Sequence, residues 1–420
     1  MTEMQKSPSR ALTANVVFLG IVSLLTDISS EMTNTLLPLF LANGLGVRTA
    51  IIGLIEGIAE ATAGVTRIFS GWLSDLWGKR KSLTLVGYGL SAVSRPFLYV
   101  AGAWPTVLGV RFADRLGKGV RTSPRDALIA DSSADKTRGL SFGFHRAADT
   151  LGAVIGLGGA AIIVHLSQHN AIALVPEVYR RLVLYAMVPG FLAVAVLGLF
   201  VRDIGRRRES KAAPPRLRFG DLDLRFRLFI AIIVVFTLGN SSDAFLVLRA
   251  QNVGLSVFHI ALALVGFNAV YSLISTPAGA LSDRWGRTRV IAAGWAFYAA
   301  IYLGFALARS GAHIWVLYAL YGAYYGMTEG TARALVGDVV REEQRGTAYG
   351  IFNAAIALTA LPASLIAGAL WQGIGGWPGL GPAAPFYFGA GMALLALVLL
   401  LAWLPTARIG QVPDAEASQR

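Results

Sequence analysis

The chain has 420 residues, of which 55% are hydrophobic and 15% charged, with a mean hydropathy of +0.58. Soluble domains carry roughly 25% charged residues, so a soluble globular domain is excluded, and the lack of cysteine excludes disulfides, thiolate metal sites and a cysteine nucleophile. The net charge of +13 invites a nucleic-acid reading, but the cations fall in alternate loops between apolar runs, which points to a lipid bilayer instead.

In chain order, residues 1–13 form a polar tail. It does not read as a cleavable leader, because the apolar stretch behind it is too long and contains acids. Spans suited to membrane helices follow at 14–42, 49–72, 82–102, 105–131, 138–165 and 182–201, then at 226–250, 258–282, 290–309, 312–338, 346–372 and 385–404. Most reach the ~18–20 residues that crossing a bilayer needs, and backbone groups in lipid are satisfied only within helices or closed barrels. The expected fold is therefore an all-α integral membrane protein with twelve transmembrane helices in two pseudo-symmetric six-helix bundles. The N-terminal bundle covers 14–201 and the C-terminal bundle 226–404. A basic linker at 202–225, with Pro214 and Pro215, joins them, and a polar tail at 405–420 closes the chain.

One set of loops carries Lys79, Arg80, Lys81, Lys136, Arg138, Arg284, Arg287, Arg289, Arg341, Arg345 and the linker arginines. The opposite set has only Arg48, Arg180, Arg181, Arg249 and Arg309. The positive-inside bias then expects both termini in the cytoplasm, with the linker near anionic headgroups. The location implied is the cell membrane.

A repeated motif organises the chain. Gly71, Asp75 and Gly78, followed by Lys79, Arg80 and Lys81, return as Gly279, Asp283 and Gly286, followed by Arg287 and Arg289, at an offset of 208 residues. A second echo pairs Asp131, Arg138 and Gly143 with Asp338, Arg345 and Gly350, at an offset of 207. Repeats of that length mean two copies of one unit. The motif resembles the Gly-x-x-x-Asp-x-x-Gly-Arg/Lys loop between helices 2 and 3 of the major facilitator superfamily (MFS) of transporters. The resemblance extends over nearly the whole chain. It implies the MFS fold, alternating access, a monomer, peripheral helices 3, 6, 9 and 12, and a cavity lined by helices 1, 4, 7 and 10. Exporters of that family often carry Gly-x-x-x-Gly-Pro on helix 5; here Gly152 and Gly156 fit but Leu157 replaces the proline.

The charges inside the spans carry the functional reading. An ionised side chain at the bilayer centre costs about 2.5–3.5 kcal/mol on insertion scales, so these residues face a cavity, a partner or a helix end. Asp27 and Glu31 share a face of the first span with Asn34, and Glu56 and Glu60 share one of the second. Carboxylates withdrawn from water favour the protonated form, so these four are the candidates for proton coupling; the plain alternative is neutralisation by the basic stripe of the fourth span. That stripe holds Arg111, Arg115 and Lys118, candidate substrate contacts or partners for nearby acids. Further cavity candidates are Arg146, Asp149, Asn240, Asp243, Tyr321, Tyr325 and Glu329. Gly71, Asp75, Gly78, Arg80, Asp131, Gly279, Asp283, Gly286, Arg287 and Asp338 form the expected inner-gate motif, a structural role in switching.

No cofactor is expected. There is no Walker-type phosphate loop for ATP, and the five histidines are scattered, so no metal set emerges. Ser141, His145 and Asp149 resemble a hydrolase set in composition only, so catalysis is not expected. The leading expectation is a secondary transporter exchanging protons for a small organic substrate, directed outward; the alternative is uptake or exchange of an organic anion gripped by Arg111, Arg115 and Lys118. A membrane sensor or scaffold would need an effector domain or long tail.

Overall fold

The structure is a computed structural model that describes residues 12–134, 137–203, 223–340 and 345–408. Residues 1–11, 204–222 and 409–420, with Lys136 and Arg341, lie outside the described residues, and so do the parts of the expected tails and linker that they make up. Twelve helical spans are present: α1 (Ala14–Gly44), α2 (Thr49–Trp77), α3 (Arg80–Ser94, with a 3-10 turn at Arg95–Leu98), α4 (Trp104–Asp131), α5 (Arg138–Gln168) and α6 (Pro176–Phe200) in the first half. The second half holds α7 (Leu224–Asn252), α8 (Val257–Trp285), α9 (Arg287–Leu307), α10 (Gly311–Val339), α11 (Arg345–Gln372) and α12 (Ala384–Arg408). Among the described residues, nine of these spans are long and apolar enough by composition to cross a membrane. The three that are not are α3, interrupted at Pro96, α4, loaded with charge, and α10, diluted by tyrosine and glycine.

Local chemistry sets the ends. Thr13 caps α1 by accepting from the Val16 amide. Pro176 opens α6, where the missing N–H costs nothing. The sixth span therefore begins before residue 182, and Arg180, expected in a loop, sits in the helix 3.9 Å from Glu177. Gly78 ends α2 in the left-handed region at φ 63°. Nothing earlier breaks the helix, so α2 runs past residue 72 and carries Gly71 and Asp75 within it rather than in a loop. Arg249, also expected in a loop, is 8% exposed at the end of α7. Its guanidinium donates to the carbonyls of Phe305 (3.0 Å), Ala306 (3.0 Å) and Ala308 (2.9 Å), closing the C-terminus of α9.

Two cavity helices are broken at corresponding places. Regular helix in α1 stops at Asn34 and resumes around Pro38 with a π turn at Phe40–Gly44. In α7 it stops at Gly239 and resumes at Ala244. Breaks of this kind are tolerated at membrane depth only where they are buried or line a cavity.

The halves meet along α2 with α11 and α5 with α8. A Cβ on Gly57 would lie 2.8 Å from the Leu361 Cα, and one on Gly368 2.5 Å from the Thr49 carbonyl, so the seam needs bare glycine. At the end away from the motif loops the contact is sealed by polar bonds. Gln251 donates to Asn43 at 2.6 Å, Arg48 to the Gln372 carbonyl at 2.7 Å, and the Thr49 amide to Gln372 Oε1 at 2.8 Å. At the motif end the ion pairs between described residues stay within one half. Interior side chains are exposed from that side, Glu60 by 45% and Arg333 by 53%. The cavity is therefore closed at one end and open at the other.

Candidate substrate cavity

The N-terminal half fills its interior with paired charge. Arg111 of α4, 2% exposed, binds Glu56 of α2 at 2.7 Å and lies 4.0 Å from Asp114. Arg95, buried in the 3-10 turn that follows α3, meets Asp114 at 3.1 Å and donates to Ser29 of α1 at 2.8 Å. Arg115 reaches Glu60 at 3.3 Å. Arg121 lies 4.5 Å above the Tyr88 ring and donates to Ser91 at 2.6 Å. Arg111 is thus engaged with Glu56 and Arg115 with Glu60, and breaking the buried Arg111–Glu56 pair would cost about 3–5 kcal/mol.

Two candidates from the same helices stand apart. Lys118 is exposed to the cavity, and its ammonium makes no ion pair or hydrogen bond with a described residue. Asp27 is half-buried with no side-chain partner among the described residues. Glu31 accepts from Thr35 at 2.7 Å, and Asn34, half-buried, marks the α1 break. A Cβ on Gly152 or Gly156 of α5 would lie 3.1 Å from the Asp27 Cβ or 3.2 Å from the Glu31 Cβ, so both acids leave α1 beside its seam with α5. Further along, Asp149 accepts from Ser23 and lies 3.6 Å from His145. Ser141 donates to the Thr137 carbonyl at 3.1 Å rather than to His145.

The C-terminal half fills the matching space with rings. Asn240 and Asp243 sit in the α7 break. Tyr298 donates to Asn240 at 3.2 Å, and Tyr321 to Asp243 at 2.8 Å. Tyr325 meets Tyr321 edge to face at 5.0 Å and Tyr271 at 6.3 Å. Tyr271 donates to Glu329 at 2.6 Å, and Glu329 also accepts from Arg333 at 3.1 Å. Arg146 of α5 donates across the halves to the Tyr271 hydroxyl.

The gate motif is braced within each half. Arg80 pairs with Asp131. Arg287 reaches Asp338 at 2.7 Å and Asp283 at 3.6 Å. Gly78 and Gly286 have positive φ, 63° and 92°, while Gly71 and Gly279 lie within α2 and α8. The Asp75 side chain lies outside the described residues.

Several contributors escaped the reading of the sequence. Asp114 carries no mark in the sequence beyond its place among the cations of the fourth span, yet it joins α3 and α4. Arg95 did give a signal, being a lone charge on a lipid-type helix. Tyr271 gave none, because a tyrosine in an apolar run reads as packing. The polar seal of Asn43, Arg48, Gln251 and Gln372 lies at span ends, where residues read as loop.

Two six-helix bundles with broken cavity helices, closed over a charged and aromatic interior at one end, have the build of a membrane transporter. The family model described as Major Facilitator Superfamily matches residues 19–242 and again 228–419. The chain belongs to the major facilitator superfamily. It is 35% identical over 399 residues to an MFS-type transporter of Methanocaldococcus jannaschii, covering 93% of this chain and 95% of that one. Among solved structures it resembles the nucleoside transporter NupG, with a TM-score of 0.79 at 12% identity over 92% of this chain and 99% of that one. It also resembles a D-xylose–proton symporter, with a TM-score of 0.71 at 15% identity over 94% and 98% of the two chains. At these identities the two structures show the fold.

Proposed function

We propose that the protein is a monomeric secondary transporter of the cell membrane that exports a small organic molecule in exchange for protons. The excess of basic residues in the motif loops supports a cytoplasmic position for both termini and the linker, which turns the open end of the cavity inward. The observation that carries the reading is Asp27. It is the carboxylate of α1 without a side-chain partner among the described residues, beside a cavity that water reaches. Such a group is free to bind and release a proton as the halves alternate, whereas Glu56 and Glu60 are held by Arg111 and Arg115. The braces Arg80–Asp131 and Arg287–Asp338 let each half move as a unit.

The exposed Lys118, whose ammonium has no ion-pair partner among the described residues, favours a second reading, uptake or exchange of an organic anion, while Arg111 and Arg115 are engaged by Glu56 and Glu60. The test is Asp27→Asn in proteoliposomes. Flux driven by an imposed pH gradient is expected to fall to background, while substrate-for-substrate exchange persists. Equal gradient-driven flux in both proteins overturns the assignment.

A further inference from the structure

Between α5, α8 and α10, at the open end, lies a cavity of about 240 Å³ lined by Arg146, Tyr271, Tyr325, Glu329, Gly330 and Arg333, among others. Its polar groups are unequally satisfied. Glu329 already accepts from both Tyr271 and Arg333, so no free carboxylate remains there to hold a cation. Arg146 has the opposite standing. Its hydrogen bond goes to a neutral phenol, its guanidinium lies 5.4 Å from the same ring, and it forms no ion pair with a carboxylate of a described residue. A guanidinium carries five N–H donors in a planar fork, so both arginines keep donors to spare. Two guanidiniums against one carboxylate leave the lining with a net positive charge.

We infer that this cavity binds a small amphipathic organic anion, its carboxylate or phosphate taken by Arg146 and Arg333 and its flat apolar body packed on Tyr271 and Tyr325. Guanidinium forks match both anions bidentately, and tyrosine offers an apolar face with a polar tip. The volume falls below the ~300–1,000 Å³ of drug-sized sites, which sets the ligand at about one ring. Gly330 leaves the floor open, for a Cβ there would meet nothing within 4 Å. Because Arg146 belongs to the first half and Arg333 to the second, the anion bridges the halves and replaces the Tyr271 hydroxyl as the acceptor for Arg146. The ring ladder from Tyr271 through Tyr325 to Tyr321 then connects the site to Asp243. The inference deepens the transport reading by naming its substrate class, and rests on that reading for its purpose. It also moves the anion grip from Arg111 and Arg115 to Arg146, which forms no ion pair with a described carboxylate, and to Arg333, whose carboxylate partner Glu329 it shares with Tyr271.

The experiment is a melting-shift titration of the purified full chain in detergent. The probes are benzoate and phenyl phosphate, with benzyl alcohol and benzyltrimethylammonium as neutral and cationic matches, and phosphatidylglycerol as a lipid source of the same phosphate chemistry. The two soluble anions are expected to raise the melting temperature and the neutral and cationic probes to leave it unchanged. Arg146→Ala should weaken apparent anion affinity roughly 10–100-fold, the loss of a charge-assisted contact. Gly330→Leu, which fills the floor and keeps every charge, should also block the shift. Both variants should melt like the parent without ligand, which shows them folded; Arg146→Lys should restore part of the affinity. Equal shifts from benzyl alcohol, unchanged anion affinity in Arg146→Ala and Gly330→Leu, or a response to phosphatidylglycerol alone would each overturn the assignment. Anion binding without pH-driven flux would sink the coupling proposal and leave the site. Flux of a compound that does not compete with benzoate would do the reverse.

Discussion

Arg111, Asp114 and Lys118 on α4 stand 207 residues before Tyr318, Tyr321 and Tyr325 on α10. Arg95 on α3 stands at the same offset from Tyr302 on α9. In the first half Arg95 and Asp114 form an ion pair at 3.1 Å; in the second, Tyr302 and Tyr321 put their ring centroids 6.3 Å apart. Yet the braces beneath are the same, Arg80 with Asp131 and Arg287 with Asp338, again 207 residues apart. One backbone unit is thus stabilised by two interior chemistries. The charged interior is held by matched partners, because an ion taken from water is tolerable only when neutralised and hydrogen-bonded. The aromatic interior is held by area and edge-to-face geometry, worth about 0.5–1.5 kcal/mol per ring pair beyond burial.

Removing Asp114 gives the largest expected effect. Arg95 and Arg111 would be left buried and short of their carboxylate, so Asp114→Ala should lose about 3–5 kcal/mol of stability, read as a fall in melting temperature in detergent. Asp114→Leu combined with Arg95→Met should recover most of it, since an apolar replacement of the whole pair is often neutral. A single variant that melts like the parent would mean the charge pairing is not what holds the first half.

The comparison also requires that each half move as a unit about the α2–α11 seam. Gly57→Leu tests this by overpacking a contact where a Cβ would already lie 2.8 Å from the Leu361 Cα. Overpacking costs about 1–3 kcal/mol, which shifts the closed state by roughly 5–150-fold. The chain has no cysteine, so Asn43→Cys with Gln251→Cys gives a clean crosslinking readout of the sealed end. The crosslink should form readily in the parent background and drop at least about fivefold with Gly57→Leu. An unchanged yield would mean the seal does not depend on the seam.

The twelve spans and the duplicated motif were readable because membrane helices need long apolar runs and because a repeat leaves its spacing in the chain. The interior was readable only in part. That Arg111 and Lys118 face inward follows from the cost of charge in lipid. That Arg111 is engaged while Lys118 is exposed depends on Glu56 lying opposite one and not the other, and that is fixed by how α2 docks on α4. The α7 break was unreadable for another reason: Asn240 to Asp243 lacks proline and glycine, and it stays unwound because Tyr298 and Tyr321 supply partners from other helices. Tyr271 acquires its role from Arg146, 125 residues away, and no local pattern marks that.

The smallest single effect, that of Tyr321→Phe, is the first half of a paired test of the aromatic half. Tyr321 donates to Asp243 at 2.8 Å and packs between Tyr302 and Tyr325. Tyr321→Phe keeps the ring and deletes the donor, so the stacking survives and the carboxylate in the α7 break loses one hydrogen bond. A bond to a charged group contributes about 1.5–3 kcal/mol; if Asp243 is met by cavity water the loss falls to the low end, about 1.5 kcal/mol. Tyr321→Ala removes the ring as well and should cost two to three times more, about 3–5 kcal/mol. The ratio of the two losses is the informative quantity. A large gap says the second half is held by rings, as the comparison with α4 requires. Two equal losses would say that the Asp243 bond carries the stability, and that the aromatic half is a polar network after all.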